Sequence, residues 1–532
     1  MKKIYTFLAA TALYGAVFAQ ENPESAVIGK IRSEEMSKSE VMKTAFYLTD
    51  VSGPRLSNSP GLKRAQNWAV EQLKSWGLQN VKLEPWGKFG RGWEIEKAYA
   101  AISAPYYHPI IAVPKAWSGS TAGAINADVV LIRVDTLSDL EQYTGKLAGK
   151  AVIAWTDKAL ERTFAADAKR YSDEELAEMA AAEGGERNRN ADVSPEMMKR
   201  MAEYRKMRDM RTAISGFLKK EKVALILSQA RGTDGTVFTS NGNSYAEDAP
   251  EAAPELEVSG EDYLRIVRLL NAKVPVKIDA DIRTKFFSED LQGYNVIGEI
   301  PGTDKKLKDE VVMLGGHLDS WHAATGATDN AAGSAVMMEA VRLIKSLGLQ
   351  PKRTIRIALW SSEEQGLFGS RNYVLNHFGD PKTMKLTADQ KKISAYYNLD
   401  NGTGKIRGVY LQGNATVKPI FENWLKPFHD LGAKTLTLRN TGGTDHLAFD
   451  AVGIPGFQFI QDPVDYNART HHSNEDTFDR LIEDDLKQAS AIVAAFVYGT
   501  AQRATALPRK PLPEPQPDRT QAAPPATPKK AR

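Results

Sequence analysis

The sequence contains no cysteine in 532 residues. That excludes disulfides as a source of stability and thiolates as nucleophiles or metal ligands. Any metal must therefore be held by His, Asp and Glu, and histidine is scarce, at 8 residues. Strong charge of either sign is also missing. A net charge of +3 over this length argues against nucleic acid as the main partner. Beyond the N-terminus there is no apolar run long enough to cross a bilayer, so no stable membrane insertion is expected.

The first residues have a different character. Lys2 and Lys3 precede an apolar run from Ile4 to Phe18, and Val17-Phe18-Ala19 offers the small residues that a signal peptidase reads. The run is short for a membrane span. The expectation is a signal peptide over residues 1–19 and an exported protein, periplasmic or secreted. With 42% apolar and 25% charged residues the rest is ordinary globular material, and its length suggests two or three domains.

Ser25 to Gly77 reads as helical, and Val81 to Trp86 alternates as a strand should. Near Pro105 the pattern turns to buried-strand candidates, Val129–Val134, Ala151–Trp155 and Val223–Leu227. The last two are separated by a charged, Ala- and Met-rich stretch, about 157–220. There Ser172-Asp173-Glu174-Glu175 fits a capping box closed by Gly184-Gly185, and Ser194-Pro195-Glu196 starts a second helix. Met197, Met201, Tyr204 and Met207 mark one face of that helix. The stripe is expected to pack on its own domain, a mobile arm or dimer contact being the alternative. From Tyr294 strands alternate with helices, the signature of a largely parallel sheet flanked by helices. From about Leu507 the chain is Pro-rich and basic, and is expected to be a solvated tail over 506–532.

In an open α/β sheet, ligands bind beyond the carboxyl ends of the strands. His317 and Asp319 follow the strand candidate ending at Leu314, Glu363 and Glu364 follow Trp360, and Asp400 follows Leu399. Asp329 lies in the loop that opens the next helix, and His472 follows the strand candidate Gly456–Ile460. Singly these are turn residues or helix caps. Together they place histidine and carboxylates on one sheet edge, a ligand chemistry that suits a catalytic zinc site.

Gly315-Gly316-His317-Leu318-Asp319-Ser320-Trp321, Gly326-Ala327-Thr328-Asp329-Asn330, Trp360-Ser361-Ser362-Glu363-Glu364-Gln365-Gly366 and His471-His472-Ser473 resemble the M28 metallopeptidase family, in particular its carboxypeptidase Q-like branch. The resemblance spans Ser52 to about Gly87 and Tyr294 to about Tyr498. It implies a zinc exopeptidase fold made of 20–105 and 286–505, with a β-rich protease-associated domain inserted at 106–285, itself carrying the helical 157–220 stretch. It also implies two zinc ions per chain. Asp329 would bridge them, His317 and Asp400 would complete one site, and Glu364 and His472 the other. Glu363 would be the general base, and Asp319 would orient the His317 ring. His471 competes with His472 as the final ligand, and Asp445 and His446 would have a supporting role. The implied substrates are short peptides, cleaved by an aminopeptidase or dipeptidase, with a homodimer as assembly. Carboxypeptidase specificity, glutaminyl cyclisation with one zinc, and a non-catalytic binding protein are the competing readings. The N-terminal expectation has a direct check: intact mass and N-terminal sequencing of the exported protein should place its first residue at Gln20.

Overall fold

The computed structural model describes residues 25–154, 159–161, 163–183 and 195–515. The expected signal peptide, Gly184-Gly185 and most of the basic tail lie outside them. Among the described residues no helix is long and apolar enough to cross a membrane.

The architecture is mixed α/β, with two eight-stranded sheets. The first runs, edge to edge, Gln79–Lys88, Gln292–Ile300, Thr354–Trp360, Val311–His317, Ile393–Asn398, Gly456–Gln461, Ile406–Tyr410 and Thr435–Thr437. Its four central strands, from Thr354–Trp360 to Gly456–Gln461, are mutually parallel and almost wholly buried. They read as continuous apolar runs because both of their faces are covered. One face carries the helices Ala332–Ser346 and Glu483–Gln502, with the N-terminal helices Ser25–Lys38 and Val41–Phe46 outside them. The other face carries Phe368–His377 and His446–Asp450 over Trp360 and Tyr396, with Phe449 of the second helix stacked on Tyr396. The helix Pro60–Ser75 shows why such segments form: the Ser59 hydroxyl accepts from the Leu62 N–H, and Pro60 opens the first turn. Leu62, Ala65, Ala69 and Leu73 then bury one stripe.

The second sheet is built from Gly92–Ala104, Lys277–Phe287, Ile125–Leu131, Ala151–Ile153, Leu225–Gln229, Glu255–Val258 and two short edge strands. Gly92–Ala104 pairs with Lys277–Phe287, so the chain enters this sheet near residue 90 and not at 105. The strand Gly92–Ala104 stops just before Pro105, which has no N–H to donate to a ladder. Between Ala151–Ile153 and Leu225–Gln229 lie the helices Asp173–Ala181, opened by the expected capping box, and Pro195–Lys220.

Two expectations are corrected. Met201 and Tyr204 do not pack on their own domain: they are 46% and 69% exposed, and Met207 is also exposed. The helix buries Ile214 and Leu218 instead, near its C-terminal end, where it meets the second sheet. Nor is the tail solvated from its start. Leu507 is buried, Arg509 donates to the carbonyls of Gln390 and Ile393, and Lys510 pairs with Asp450 at 2.6 Å. One leucine and two long cations suffice to bind a Pro-rich segment whose backbone makes no ladder.

A buried acid pair joins the N-terminal helix to the core. Glu35 faces Glu339, which is held by Arg342 at 2.6 Å, while the Ser39 hydroxyl donates to Glu35 at 2.7 Å. Burial, then the Glu339 carboxylate, push the Glu35 carboxyl up to about 9. The native state therefore keeps a proton that the unfolded chain releases above its ordinary value of 4.5. This contribution is fully present in acid and is lost as the pH rises from that value to about 9. Glu35→Gln should flatten the decline in Tm over this window, measured by circular dichroism at several pH values. Parallel wild-type and variant profiles would contradict the buried protonated carboxyl.

Candidate metal centre

The carboxyl edge of the first sheet collects the chemistry. His317 is the last residue of its strand and lies beside Trp360 in register, and Asp400 stands two residues past the end of its own strand at Asn398. The Gly326–Asn330 loop crosses this edge before the helix Ala332–Ser346. It is seated by the Asn330 amide, which donates to the Leu399 carbonyl at 2.9 Å and accepts from the Gly333 N–H at 3.1 Å. Gly333 is required there, since a Cβ would lie 2.1 Å from the Leu399 oxygen.

Asp329 lies at the centre. Its Oδ1 is 3.3 Å from His317 Nε2, which is itself 3.2 Å from Asp400 Oδ1. Its Oδ2 is 3.3 Å from His472 Nε2, and His472 Nε2 is 2.9 Å from Glu364 Oε2. One carboxylate thus turns one oxygen to each of two donor sets. Within each of two groups, His317–Asp329–Asp400 and Asp329–His471–His472, one ligand atom per residue lies within 4.8 Å of the others. His471 stands farther from Asp329 than His472 does, at 3.9 Å, and its ring packs on Tyr466. Glu364 reaches the second group through His472.

These residues fit a bound cation. Asp329 Oδ2 and Glu364 Oε1 are buried and accept no hydrogen bond, and the nitrogen and oxygen donors suit a borderline metal such as zinc. The electrostatics agree. Burial, then the Asp329 carboxylate, push the Glu364 carboxyl well above its ordinary range. Burial likewise raises Glu363, and Asp400 and Asp445 add to it. Burial alone would depress His317, but the Asp400 and Glu363 carboxylates and its hydrogen bonds to Asp319 and Asp329 drive it well up. The cluster holds more negative charge than its histidines balance.

Asp319 occupies the expected place with a different division of labour. Its backbone carbonyl takes His317 Nδ1 at 3.0 Å, whereas its carboxylate accepts the backbone N–H groups of Glu363 and Glu364, each at 3.2 Å. It therefore fixes both the imidazole and the acidic turn. Asp445 is buried with neither oxygen hydrogen-bonded, close enough to raise Glu363. His446 turns away toward Gln412 and the Thr441 carbonyl, and burial lowers it to about 4.

Three parts were not visible in the sequence. Asp476 accepts the N–H groups of Thr328 and Asp329 at 2.6 and 3.1 Å and so holds the central loop. The fully buried Arg55 donates to the carbonyls of Leu48, Leu318, Thr325 and Gly326. Burial lowers it to about 10 against the opposing pull of Asp476, Asp319, Asp329 and Glu364. Trp321 lies against His472, ring centres 5.6 Å apart. The acidic run Glu475-Asp476 just past His472 was the available signal for Asp476; Arg55 had none.

Comparison with known proteins follows this geometry. Residues 295–497 match the model of peptidase family M28. The chain is 27% identical to carboxypeptidase Q of Pongo abelii over 501 residues, 94% of this chain and 91% of that protein. Its structure is similar to that of a peptidase M28 precursor from Shewanella amazonensis SB2B, with a TM-score of 0.63 and 27% identity, covering 92% of this chain and 98% of that one. It shares its fold with a zinc aminopeptidase from Bacillus subtilis, with a TM-score of 0.52 and 20% identity, over 88% of this chain and 97% of that one.

Because Arg55 supports four carbonyls beneath a crowd of carboxylates, Arg55→Leu should cost at least ~3 kcal/mol in urea denaturation, by analogy with breaking a buried charge network. A loss below ~1 kcal/mol would show that its role is taken by the surrounding backbone.

Proposed function

We propose that this chain, a carboxypeptidase Q-like metallopeptidase of family M28, is an exported two-zinc exopeptidase that cleaves short peptides with free N-termini. The observation that carries this reading is the Asp329 carboxylate, with one oxygen turned to His317 and the other to His472 at the same 3.3 Å. A bridging carboxylate between two donor sets is the arrangement that two-metal hydrolases need. His317 and Asp400 would complete one site, and Glu364 and His472 the other, with His471 the competing donor in the second. Zinc bound there supplies Lewis-acid polarisation of the peptide carbonyl and activation of water at neutral pH.

Glu363 is the general base in this reading. It follows the strand Thr354–Trp360 at the same edge, and its N–H is tied to Asp319 so that the side chain stays beside the donor sets. Its carboxylate takes the proton from the attacking water and returns it to the departing amine nitrogen. Asp319 keeps the His317 ring fixed through Nδ1, and Asp476 and Asn330 hold Asp329 in place. The surplus of buried carboxylate, Asp445 included, suits a substrate with a cationic α-amine. The second-sheet unit, read as an inserted protease-associated domain, contacts the loop that carries His472 through the Thr239 N–H and a bridge from Phe238 to Ser473. Export is supported by the Lys2 to Ala19 pattern.

The test is mass-spectrometric product analysis of zinc-loaded protein given dipeptides and longer peptides, free or N-acetylated, with and without chelator. Chelator-sensitive release of N-terminal residues from free peptides alone is expected. Release of C-terminal residues from acetylated peptides would reassign the enzyme as a carboxypeptidase. In the same assay Glu363→Gln should lose roughly 10²–10⁴-fold in kcat while binding zinc as the wild type does. Retained turnover would remove Glu363 from its role.

A further inference from the structure

The loop that carries His471 and His472 runs from Asp462 to Asp476, and its one regular element is the π-helical turn Tyr466–Thr470 just before the histidines. His472 itself sits at φ +64°, a left-handed conformation that residues with a Cβ adopt rarely. Inside the loop the His471 N–H donates to the Tyr466 carbonyl at 2.8 Å and the Ser473 N–H to the Thr470 carbonyl at 3.1 Å, and from outside the second-sheet unit braces it at three places.

At the loop's start, the Lys169 N–H donates to the Val464 carbonyl at 3.0 Å, and Arg170 reaches Asp462 and Asp485 at 3.0 and 2.7 Å. Past the histidines, the Thr239 N–H donates to the His472 carbonyl at 2.8 Å, and Phe238 forms a β-bridge with Ser473. Val237 and Asn474 exchange two further hydrogen bonds, at 2.7 and 3.1 Å. Between these lies Arg469, three residues before His472. Its guanidinium donates to Asp167 at 2.8 and 2.5 Å, to the Thr233 carbonyl at 3.0 Å, to the Thr236 hydroxyl at 2.8 Å and to Asp234 at 3.2 Å. All four acceptors belong to the second-sheet unit: Asp167 to the segment before the capping-box helix, the others to the hairpin that follows the strand Leu225–Gln229. The side chain is only 17% exposed. A planar fork with five N–H donors can join two separate segments to one loop in a fixed orientation, which a lysine cannot do.

We propose that Arg469 is a positioning residue through which the second-sheet unit fixes the His471–His472 loop and so sets the affinity of the metal site that His472 helps to build. This gives the stretch around Asp167 a function at the active site, although none of its described residues contacts the donor sets. The proposal rests on the two-site reading of the metal centre, and its test is chosen to separate the two. Outer partners of metal ligands are typically worth 10–100-fold in metal affinity.

Zinc affinity is read by chelator-competition titration, and stoichiometry by elemental analysis of the same samples, for the wild type, Arg469→Ala, Arg469→Lys and Asp167→Ala. Lys88→Ala serves as control, because it removes another contact between the units, the 2.5 Å pair with Glu247, away from this loop. One of two zinc ions should bind roughly 10–100-fold more weakly in Arg469→Ala and in Asp167→Ala, with partial recovery in Arg469→Lys and no change in Lys88→Ala. Should Arg469→Ala fail to fold, Asp167→Ala, which removes only a partner 32% exposed, decides the matter. Unchanged zinc affinity in Asp167→Ala and in any folded Arg469→Ala, even with a lowered Tm, would overturn the proposal and leave a contact that only stabilises. A wild type that binds no zinc would overturn the metal-site reading and this proposal with it.

Discussion

Mutual repulsion among buried carboxylates is the constraint around which this molecule is organised. Asp319, Asp329, Glu363, Asp400 and Asp445 are each less than a tenth exposed, with Glu364 beside them, and all gather at one end of four parallel strands. Such a cluster is costly unless positive charge and oriented dipoles surround it. The protein supplies part of the compensation. Backbone N–H groups of Glu363 and Glu364 point at Asp319, those of Thr328 and Asp329 at Asp476, and Arg55 lies behind. One oxygen each of Asp329 and Glu364 and both oxygens of Asp445 are left without a donor. The balance that the chain leaves open is the place for a cation.

The fold provides this cluster cheaply because a parallel sheet ends all its strands on one side. Each strand delivers its polar residues without any strand being bent, and the apolar residues on both faces anchor the strands against the electrostatic strain at their ends. The helix Ala332–Ser346, buried over nearly its whole length, carries that load for the Asp329 loop, and the tie from Asn330 to Leu399 joins it to the strand that leads to Asp400.

Much of this was legible from sequence for a physical reason. Buried parallel strands leave continuous apolar runs, and a polar residue right after such a run marks the sheet's carboxyl edge. His317, Glu363, Glu364 and Asp400 were found in this way. What sequence could not supply were relations between segments far apart in the chain. Arg55 lies more than 260 residues from the carbonyls of Leu318, Thr325 and Gly326, and no local pattern marks it. The second task of Asp319 was hidden for the same reason, since the partners of its carboxylate are amides 44 and 45 residues on. Met201 and Tyr204 misled because helical spacing predicts a shared face but not what that face meets.

The two sheets are joined by two antiparallel strand pairs, each strand of one pair continuing into a strand of the other after a gap of three or four residues. Gln79–Lys88 runs on into Gly92–Ala104, and Lys277–Phe287 runs back into Gln292–Ile300, the pairs meeting in both sheets. The ladder is broken only at 89–91 and 288–291, where the Phe89 and Gly90 N–H groups still donate to the Leu291 carbonyl. The same two units are tied again where Phe238 bridges Ser473 and the Thr239 N–H meets the His472 carbonyl. The backbone of His472 is thus a stitch in the seam between the sheets as well as the carrier of a ligand.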